Sequence, residues 1–461
     1  MRRIVVYLLF LPMFVSAQNI SLTKNQSKTK IEALNKLSEK YNIKNTVTGD
    51  LFIVSKNDKY GVVDINGNTV IPLEYINICY ENEGNLFCLY KDGHVGFANR
   101  KGELIIPFNF EKEFDYEGVD YFNKGMMCAE IDGKFGITDL TGRIVVPYVY
   151  DGLIDIANVE RKLMYHHTSE DSYLLHFDGD TVIGPASYIK VRDDGTVIVL
   201  KDGKYGIYNT AGIELIPCQY DDIPWFVNGK AVVLKSGEGY GVIDQTGREI
   251  VPCTENRFDG QLSTMTKSGL VLNMRNYSYG VLDMEGNVVI PHRYTEYYGD
   301  TQNRIVLMDS SERVIVFDVN GRVLESYDAV PYLDQLTSYR DGIPVCKNKK
   351  WGYVDNEWNL VVPARYKDIY KCGDNYYVVQ FDYEQRVVID KSGKILLKGP
   401  YENVYMFCDG IFRVYSYEDV ENENSPYIVG FVDRYGNTTL TKRELAKMKE
   451  LMLKHSDTIG Q

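Results

Sequence analysis

Short runs of alternating apolar and polar residues, separated by turn residues, cover most of the chain. The stretch 201–217 is the clearest example. Asp202-Gly203 lies between two such runs and favours a two-residue turn in which both residues have positive φ. Asn209, followed three residues later by Gly212, favours a second and wider turn. The stretch therefore predicts three antiparallel strands, the last of which ends at Pro217, since proline donates no hydrogen bond to a ladder.

The same arrangement recurs along the chain. Counted from a central residue that we call the pivot, an aromatic residue lies one position before, Asp or Asn three after, Gly six after, Pro eleven after and an aromatic residue fourteen after. Five positions that recur together exclude chance. Spacings of 33 to 43 residues are typical of solenoids, propellers and other repeat arrays. The pivots are residues 61, 96, 136, 173, 206, 241, 280, 315, 352, 387 and 430.

Some units depart from the pattern. Three pivots are not glycine. In these three units the repeat is aligned by the turn glycine, which is Gly179, Gly321 or Gly393. Trp358 occupies the place of a turn glycine, and Thr441 occupies that of a proline. These units are degenerate copies of the same repeat.

The pattern resembles the WG-repeat family of bacterial proteins. Its units carry a Trp-Gly, Tyr-Gly or Phe-Gly pair, then a D-x-x-G-like turn and an I-P or V-P strand end. Trp351-Gly352 is the literal pair here, whereas the other units use Tyr, Phe or Val before the pivot. The resemblance covers roughly residues 50–440. It implies an all-β repeat protein, and it transfers no catalytic residue because the family motif contains none.

We therefore predict an all-β fold. About eleven three-stranded antiparallel meanders would span residues 49–440 and stack as a solenoid or open superhelix. The alternative is a propeller-like ring or rings, although propellers usually have four strands per blade and four to eight blades. In either arrangement neighbouring repeats share faces, because one meander is too small to fold alone.

The N-terminal segment differs from the array. Residues 1–17 have the charged, apolar and small-residue regions of a signal peptide, with cleavage expected after Ala17. We therefore expect export to the periplasm, the cell surface or the medium. Residues 18–48 are polar, and Ile31, Leu34 and Leu37 have the spacing of a short helix.

The C-terminal segment, residues 441–461, predicts a second helix. Thr441 and Glu444 make a capping box at its start. Leu445, Met448 and Leu451 form an apolar stripe along it. We expect one or both terminal helices to cap the array.

Charge and composition limit the kinds of partner that the chain can bind. The 461-residue chain has a net charge of −13 and scattered basic residues, which disfavours nucleic acid, since phosphate binding requires a basic stripe. No apolar run of the mature chain is long enough to cross a membrane. The 37 tyrosines suit a surface that binds proteins or glycans, because the ring is apolar while the hydroxyl forms hydrogen bonds.

The eight cysteines lack the C-x-x-C spacing of zinc and redox sites. Cys88 and Cys128 share a register in neighbouring units, and so do Cys218 and Cys253. A disulfide needs Cα atoms within about 7 Å, whereas stacked sheets lie about 10 Å apart. Buried free thiols are therefore the better interpretation than disulfides.

No residue is predicted to be catalytic, to bind a cofactor or to bind a metal. His166, His167 and His176 form the one histidine cluster, but they lack partners at ligand spacing. The pair Asp221-Asp222 lies where other repeats have a turn, so a structural role explains it better than acid–base chemistry. The acidic insertion 415–426 is the most irregular loop, and loops on a rigid scaffold often carry function.

These observations favour an exported, non-enzymatic binding or scaffold protein whose partner is a protein or a glycan. One alternative is a hydrolase of envelope polymer that uses carboxylates between residues 151 and 200. The other is a purely structural envelope component. The sequence leaves the ligand and the oligomeric state open.

Overall fold

The computed structural model describes residues 22–47, 50–111, 122–223, 226–253, 262–330, 342–373, 375–381, 386–401, 403–408, 410–417 and 427–459. The predicted signal peptide and residues 418–426 of the acidic insertion lie outside these ranges. The described part is all-β except for one helix near each end, α1 (Lys24–Lys40) and α2 (Lys442–Ile459).

The strands form antiparallel sheets that each contain only consecutive strands, and the described part holds eleven of them. In chain order, sheet by sheet, they are β1 (Asn42–Val47), β2 (Leu51–Lys56), β3 (Lys59–Asp64), β4 (Thr69–Tyr75); β5 (Asn77–Glu81), β6 (Leu86–Lys91), β7 (His94–Ala98), β8 (Leu104–Glu111); β9 (Met126–Ile131), β10 (Lys134–Asp139), β11 (Ile144–Tyr150); β12 (Ile154–Asn158), β13 (Leu163–His167), β14 (Ser172–His176), β15 (Thr181–Ala186); β16 (Tyr188–Val191), β17 (Thr196–Lys201), β18 (Lys204–Asn209), β19 (Glu214–Tyr220); β20 (Lys230–Lys235), β21 (Gly239–Asp244), β22 (Glu249–Val251); β23 (Leu262–Met265), β24 (Val271–Arg275), β25 (Ser278–Leu282), β26 (Val288–Tyr294); β27 (Glu296–Asp300), β28 (Arg304–Met308), β29 (Val314–Asp318), β30 (Val323–Tyr327); β31 (Ile343–Lys347), β32 (Lys350–Val354), β33 (Leu360–Tyr366); β34 (Asp368–Gly373), β35 (Tyr376–Gln380), β36 (Arg386–Asp390), β37 (Ile395–Lys398); and β38 (Asn403–Cys408), β39 (Ile411–Tyr417), β40 (Tyr427–Asp433).

The prediction of three strands per repeat is wrong for seven of these sheets, which have four strands. The missed strand is the first one. In three of these sheets it begins two residues after the aromatic residue that closes the preceding sheet, as β5 does after Tyr75 and β34 does after Tyr366. This segment, expected to be a turn, is a strand because its apolar residues, such as Ile78 and Ile369, are buried.

Both predicted turns are confirmed. Asp202 and Gly203 have φ of 52° and 73°, and they join β17 to β18 with Lys201 opposite Lys204. In the second turn, Asn209 Oδ1 accepts hydrogen bonds from the backbone N–H groups of Ala211 and Ile213, each at 3.0 Å. The Asn209 side chain thus binds two backbone N–H groups of the turn that would otherwise have to bind water.

The pivot glycine explains the spacing of the motif. A Cβ atom on Gly61 would lie 2.9 Å from Leu73 Cγ, and one on Gly280 would lie 2.7 Å from the ring of His292. Each of these overlying residues follows the pivot by twelve positions and lies on the neighbouring strand. The pivot therefore has no room for a side chain.

The proline of the motif lies inside a strand, so the prediction that the strand ends there is wrong. Ile207 is opposite Ile216, and Tyr205 is opposite Tyr220, which leaves one residue of β18 facing three residues of β19. Pro217 lies in this bulge, where the ladder is interrupted and its missing N–H costs no hydrogen bond. The two aromatic positions of the motif are thereby paired across the strands.

The glycine of the second turn also contacts the preceding sheet. A Cβ atom on Gly321 would lie 2.2 Å from Val289 O, and one on Gly102 would lie 2.1 Å from Val70 O. Both glycines also have positive φ. At Gly321 and Gly102, two independent constraints, conformation and space, therefore disfavour any other residue.

The chain divides into two compact units, Met1–Tyr148 with Tyr370–Gln461, and Val149–Ile369. In the first unit the two ends of the array meet. Leu34 and Leu37 of α1 share one apolar core with Phe52 of the first sheet and with Ile411 and Phe431 of the last sheet. An open solenoid keeps its end repeats apart, so that prediction is wrong, and the closed alternative is the one that requires such a contact.

A buried hydrogen bond accompanies this contact. Ser27 Oγ donates to Asp433 Oδ2 at 2.5 Å, and Asp433 is fully buried. The same carboxylate accepts hydrogen bonds from the backbone N–H groups of Tyr435 and Asn437 in its own turn. Helix α1 is thus fixed to the last sheet by a group that the turn already holds in place.

Helix α2 begins as predicted. Glu444 N–H donates to Thr441 Oγ1, and Glu444 Oε2 accepts from the Thr441 backbone N–H at 2.7 Å. Met448 packs in a core with Phe412 and Val414 of the last sheet. Both terminal helices therefore cover apolar residues of the array.

We expect Gly321→Ala to destabilise the protein more than Gly203→Ala does. Both glycines have φ near 75°, but a Cβ atom at 203 meets nothing within 4 Å. The conformational cost alone is about 1–2 kcal/mol. The added clash with Val289 O should raise the loss at 321 to on the order of 3 kcal/mol. Denaturant titration of both variants measures this difference, and equal losses would show that the contact between sheets is unimportant.

We expect Ser27→Ala to lower the free energy of unfolding by about 1.5–3 kcal/mol, because it removes a hydrogen bond to a buried carboxylate. Ser38→Ala is the matched control on the same helix, since the Ser38 hydroxyl donates only to Leu34 O of its own helix. Thermal melting compares the two variants. A Ser27→Ala variant that melts with the control would contradict the role given to this contact.

Candidate binding surface

Exposed aliphatic residues recur on the last strand of successive sheets in the second unit. They lie at or next to the first residue of that strand, and their exposed fractions range from 39% to 59%. We call this set the apolar row. Its members are Ile213, Leu215, Ile250, Val288, Val323, Leu324 and Leu360.

Folding does not require an apolar residue at this position. Further along the same strands the core residues Ile216, Ile290 and Val362 are almost fully buried. At the corresponding first position, β4 and β15 have Thr69 and Thr181, which are β-branched but polar. A residue that favours a strand is therefore available without exposing aliphatic surface.

The members of the apolar row on neighbouring sheets are close to one another. Gly321, two residues before Val323, approaches the carbonyl of Val289, the residue after Val288. Gly247, three residues before Ile250, similarly approaches the side chain of Ile216. The packing of sheet on sheet thus brings these positions together.

Prolines limit how a partner can use this surface. Pro217, Pro291 and Pro363 are exposed on β19, β26 and β33, three residues or fewer after a member of the apolar row. Proline cannot donate to an added strand. A partner should therefore contact the side chains of the row rather than extend the sheets.

Two lysines beside the apolar row pair with glutamates, the first within one sheet and the second between β31 and the last strand of the preceding sheet, β30. Lys235 Nζ lies 2.7 Å from Glu249 Oε1, and Lys347 Nζ lies 2.6 Å from Glu325 Oε1. The hydrogen bond that Lys235 donates to Glu249 raises the pKa of Lys235. Because these charges are already paired, the aliphatic side chains are the main feature that the row offers to a partner.

The histidine cluster does not come together as one site. His166 and His167 are successive residues of β13, so their side chains point to opposite faces of the sheet. His167 Nδ1 lies 2.9 Å from Ser172 Oγ, whereas His166 packs against the ring of Tyr150. His176 is exposed on β14. Burial lowers the pKa of His166, and so does the charge of His167.

His166 also lines a shallow depression with Tyr150, Asp151, Gly152, Thr168 and Ser169. This depression contains one carboxylate, from the exposed Asp151. Elsewhere in 151–200, the carboxylate of Asp155 accepts the backbone N–H of Ile156 on β12, and that of Asp194 accepts the backbone N–H of Thr196. Among the residues that the structure describes, no group of three or more His, Cys, Asp and Glu residues could hold a metal ion.

Asp221 and Asp222 have separate surroundings. Asp221 accepts hydrogen bonds from Lys204 Nζ and from the backbone N–H of Ser236, each at 2.6 Å. The Lys204 bond, followed by the Ser236 bond, lowers the pKa of Asp221 to about 2. Burial raises the pKa of Asp222. Asp221 thus binds one hairpin to another, which is a structural role.

All eight cysteines lie in the described ranges, and none of them is in a disulfide. Cys218 and Cys253 lie over the pivots Gly206 and Gly241, which explains the register that they share. Burial raises the pKa of Cys253 to about 11. The register that Cys218 and Cys253 share in the sequence therefore reflects equivalent positions in two different sheets.

The apolar row was missed at the sequence level. Its members do recur eight positions after several pivots, as Val288, Val323 and Leu360 do. However, Val288 and Leu360 are followed two positions later on the same strands by the buried Ile290 and Val362, so the sequence pattern alone does not separate exposed from buried aliphatic residues. In the described part of the chain, no helix has the length and apolar composition needed to cross a membrane.

Comparison with known proteins identifies the repeat. The family model of the WG containing repeat matches residues 60–93, 96–135, 205–238, 279–306 and 351–383. Each matched segment includes or adjoins one of the glycine pivots identified above. A search of curated proteins found no match.

Some solved structures are weakly similar. A eukaryotic initiation factor has 12% identity, covers 77% of this chain and 97% of its own, and has a TM-score of 0.34. Hsv2p from Kluyveromyces lactis has 10% identity, covers 67% and 94%, and has a TM-score of 0.27. BamB from Moraxella catarrhalis has 12% identity, covers 74% and 96%, and has a TM-score of 0.24. Similarity at this level supports no conclusion about this chain.

We expect the turn aspartates to make the protein sensitive to acid. The hydrogen bond from the Thr246 side chain is the main cause that lowers the pKa of Asp244. The hydrogen bond from the Ser392 side chain does the same for Asp390. A carboxyl group whose pKa is lower in the folded state contributes stability above its unfolded pKa of about 4. This contribution is lost as the pH falls through the folded-state pKa.

The double variant Asp244→Asn, Asp390→Asn should therefore lose less melting temperature than the wild type between neutral pH and about pH 3. It should fold normally at neutral pH, because Asn209 already holds an equivalent turn. The converse variant, Asn209→Asp, should lose more melting temperature in acid. Parallel acid profiles for all three proteins would contradict the assignment.

Proposed function

The chain belongs to the WG-repeat family, and from this premise we propose that it is a non-enzymatic binding protein that holds a protein partner along the apolar row. Repeated small sheets provide a rigid scaffold with an extended surface. The observation that carries the proposal is the recurrence of exposed aliphatic residues at one structural position of five successive sheets.

Several features support a protein as the partner. Contiguous exposed apolar surface is typical of protein–protein interaction sites. The charges beside the row are paired within the chain, so a strongly charged partner is not favoured. The prolines direct contact to side chains and protect the sheet edges from adding strands of other chains.

The hydrolase alternative receives less support. It would require two carboxylates placed on either side of a substrate. Asp155 and Asp194 instead accept hydrogen bonds from backbone N–H groups one and two residues further along the chain. The shallow depression beside His166 contains the carboxylate of Asp151 alone.

We expect the triple variant Val288→Thr, Val323→Thr, Leu360→Thr to lose its protein partner while it keeps its fold. Threonine retains the β-branched shape that strands favour, and these side chains are exposed, so each change should alter stability by at most about 0.5 kcal/mol. Cross-linking followed by affinity purification from the native host compares the variant with the wild type. The expected result is a defined protein that the wild type retains and the triple variant loses.

The matched control is Tyr277→Asn, which removes a ring that is 80% exposed at a hairpin tip outside the apolar row. Asparagine tolerates the φ of 60° at this position, where a β-branched residue would be strained. This control should retain the partner. Sedimentation of the purified chain shows whether a second copy is the partner. Recovery of the same proteins with the wild type and the triple variant would overturn the proposal, and so would binding only to glycans that persists in the triple variant.

A further inference from the structure

Cys79 and Cys88 lie directly opposite each other on β5 and β6. Opposite residues of an antiparallel pair point to the same face, with Cα atoms about 4.5–5.5 Å apart. This separation falls within the range of about 4.4–6.8 Å that disulfides span. The two thiols are also joined by a hydrogen bond. In the described sheets, no other two of the eight cysteines lie opposite each other on neighbouring strands.

The two thiols differ in access and in acidity. Cys88 is fully buried, whereas Cys79 is partly exposed. The hydrogen bond with Cys88 lowers the pKa of Cys79, and the Tyr90 hydroxyl, 3.7 Å from Cys79 Sγ, adds to this effect. In Cys372, by contrast, burial raises the pKa. Cys79 is therefore the thiol of this pair that an oxidant reaches, and its lowered pKa favours the reactive thiolate.

We propose that Cys79 and Cys88 form a reversible disulfide, in which Cys79 is the attacking thiol and Cys88 the resolving thiol. The oxidant is a small-molecule disulfide such as oxidised glutathione. The Cys79 thiolate attacks one sulfur of the oxidant, forms a mixed disulfide and expels one glutathione thiolate. Cys88 then loses its proton and attacks Cys79 Sγ, which releases the second glutathione thiolate. The protein loses two electrons and two protons, and one oxidised glutathione becomes two reduced molecules.

The backbone around the pair explains why the bridge is reversible. The carbonyl of Tyr90 accepts a hydrogen bond from the Ile76 N–H at 3.0 Å, so the backbone of Tyr90 faces β5. Alternation along β6 places Cys88 in the same orientation, at a hydrogen-bonded pair. The Cβ atoms of such a pair lie near 5.5 Å, whereas a disulfide needs about 3.5–4.5 Å. Closing the bridge therefore strains the hairpin, and strained disulfides are readily reduced.

The sequence makes this proposal easy to test. No Lys or Arg lies between Lys59 and Lys91, so trypsin releases residues 60–91 as one peptide that contains Cys79, Cys88 and no other cysteine. The folded wild-type chain is incubated with oxidised glutathione. It is then denatured and alkylated, digested with trypsin and examined by mass spectrometry. We expect this peptide to lose two hydrogen atoms and to carry no alkyl group, while peptides with Cys218 and Cys253 are alkylated.

Reduced glutathione should restore alkylation of both cysteines. Alkylation of both cysteines after oxidation would overturn the proposal, and so would a bridge that involves another cysteine. A bridge that forms but resists an excess of reduced glutathione would overturn its reversibility. These readings use the unmodified chain, so they do not depend on how any variant folds.

Two variants test the order of attack. In Cys88→Ser, glutathione should remain attached to Cys79 as a stable mixed disulfide, because no resolving thiol is present. In Cys79→Ser, the buried Cys88 should acquire no glutathione under the same conditions. Glutathione on Cys88 in Cys79→Ser, with none on Cys79 in Cys88→Ser, would reverse the assigned roles.

Discussion

The absence of a side chain at the pivot glycine is the constraint on which the sheets depend. At Gly61, Gly96 and Gly136 the space above the pivot is filled by Leu73, Phe108 and Tyr148 on the adjacent strand. A Cβ atom on any of these three glycines would push its strand away from the strand that carries the overlying residue. This contact explains why the motif places a glycine and a large residue twelve positions apart, and why a proline-containing bulge lies between them.

A second constraint joins one sheet to the next. The turn glycine lies against a backbone carbonyl of the preceding sheet in several repeats, and the Asp or Asn three residues before it holds the turn in shape. Trp358, with φ of 60°, occupies this place in one repeat, and its ring packs toward Tyr327 instead. The repeat therefore tolerates a change of residue at a turn where new packing replaces the contact of the glycine.

Local structure was predictable because short-range interactions determine it. The Asp202-Gly203 hairpin, the Asn209 turn and the capping box of Thr441 each depend on residues within four positions. The first strand of the four-stranded sheets was missed because its short apolar run, as in residues 77–81, has no turn signal of its own. Without this strand, the antiparallel pairing of β5 with β6 could not be predicted. For the same reason, the sequence did not indicate that Cys79 lies opposite Cys88.

The contact between the ends of the array could not be predicted for a different reason. Ser27 and Asp433 lie 406 positions apart, and nothing in a period of repeats indicates whether the first and last copies meet. That outcome depends on the small rotation between successive sheets, which accumulates over all of them. Periodicity identifies the repeating element but does not determine this rotation.

Some positions of the repeat are required by packing and others are not, and the second kind form the surface where function can vary. The pivot, the turn residues and the buried aliphatic positions such as Ile290 are required by packing, so substitutions there change the fold. The first position of the last strand is not required by packing, as Thr69, Thr181 and Val288 all occupy it in sheets of the same type. A residue that the fold leaves free can be selected for what it contacts outside the chain. In the second unit, five successive sheets place aliphatic side chains at or beside this position, and a shared partner surface accounts for that choice where folding does not.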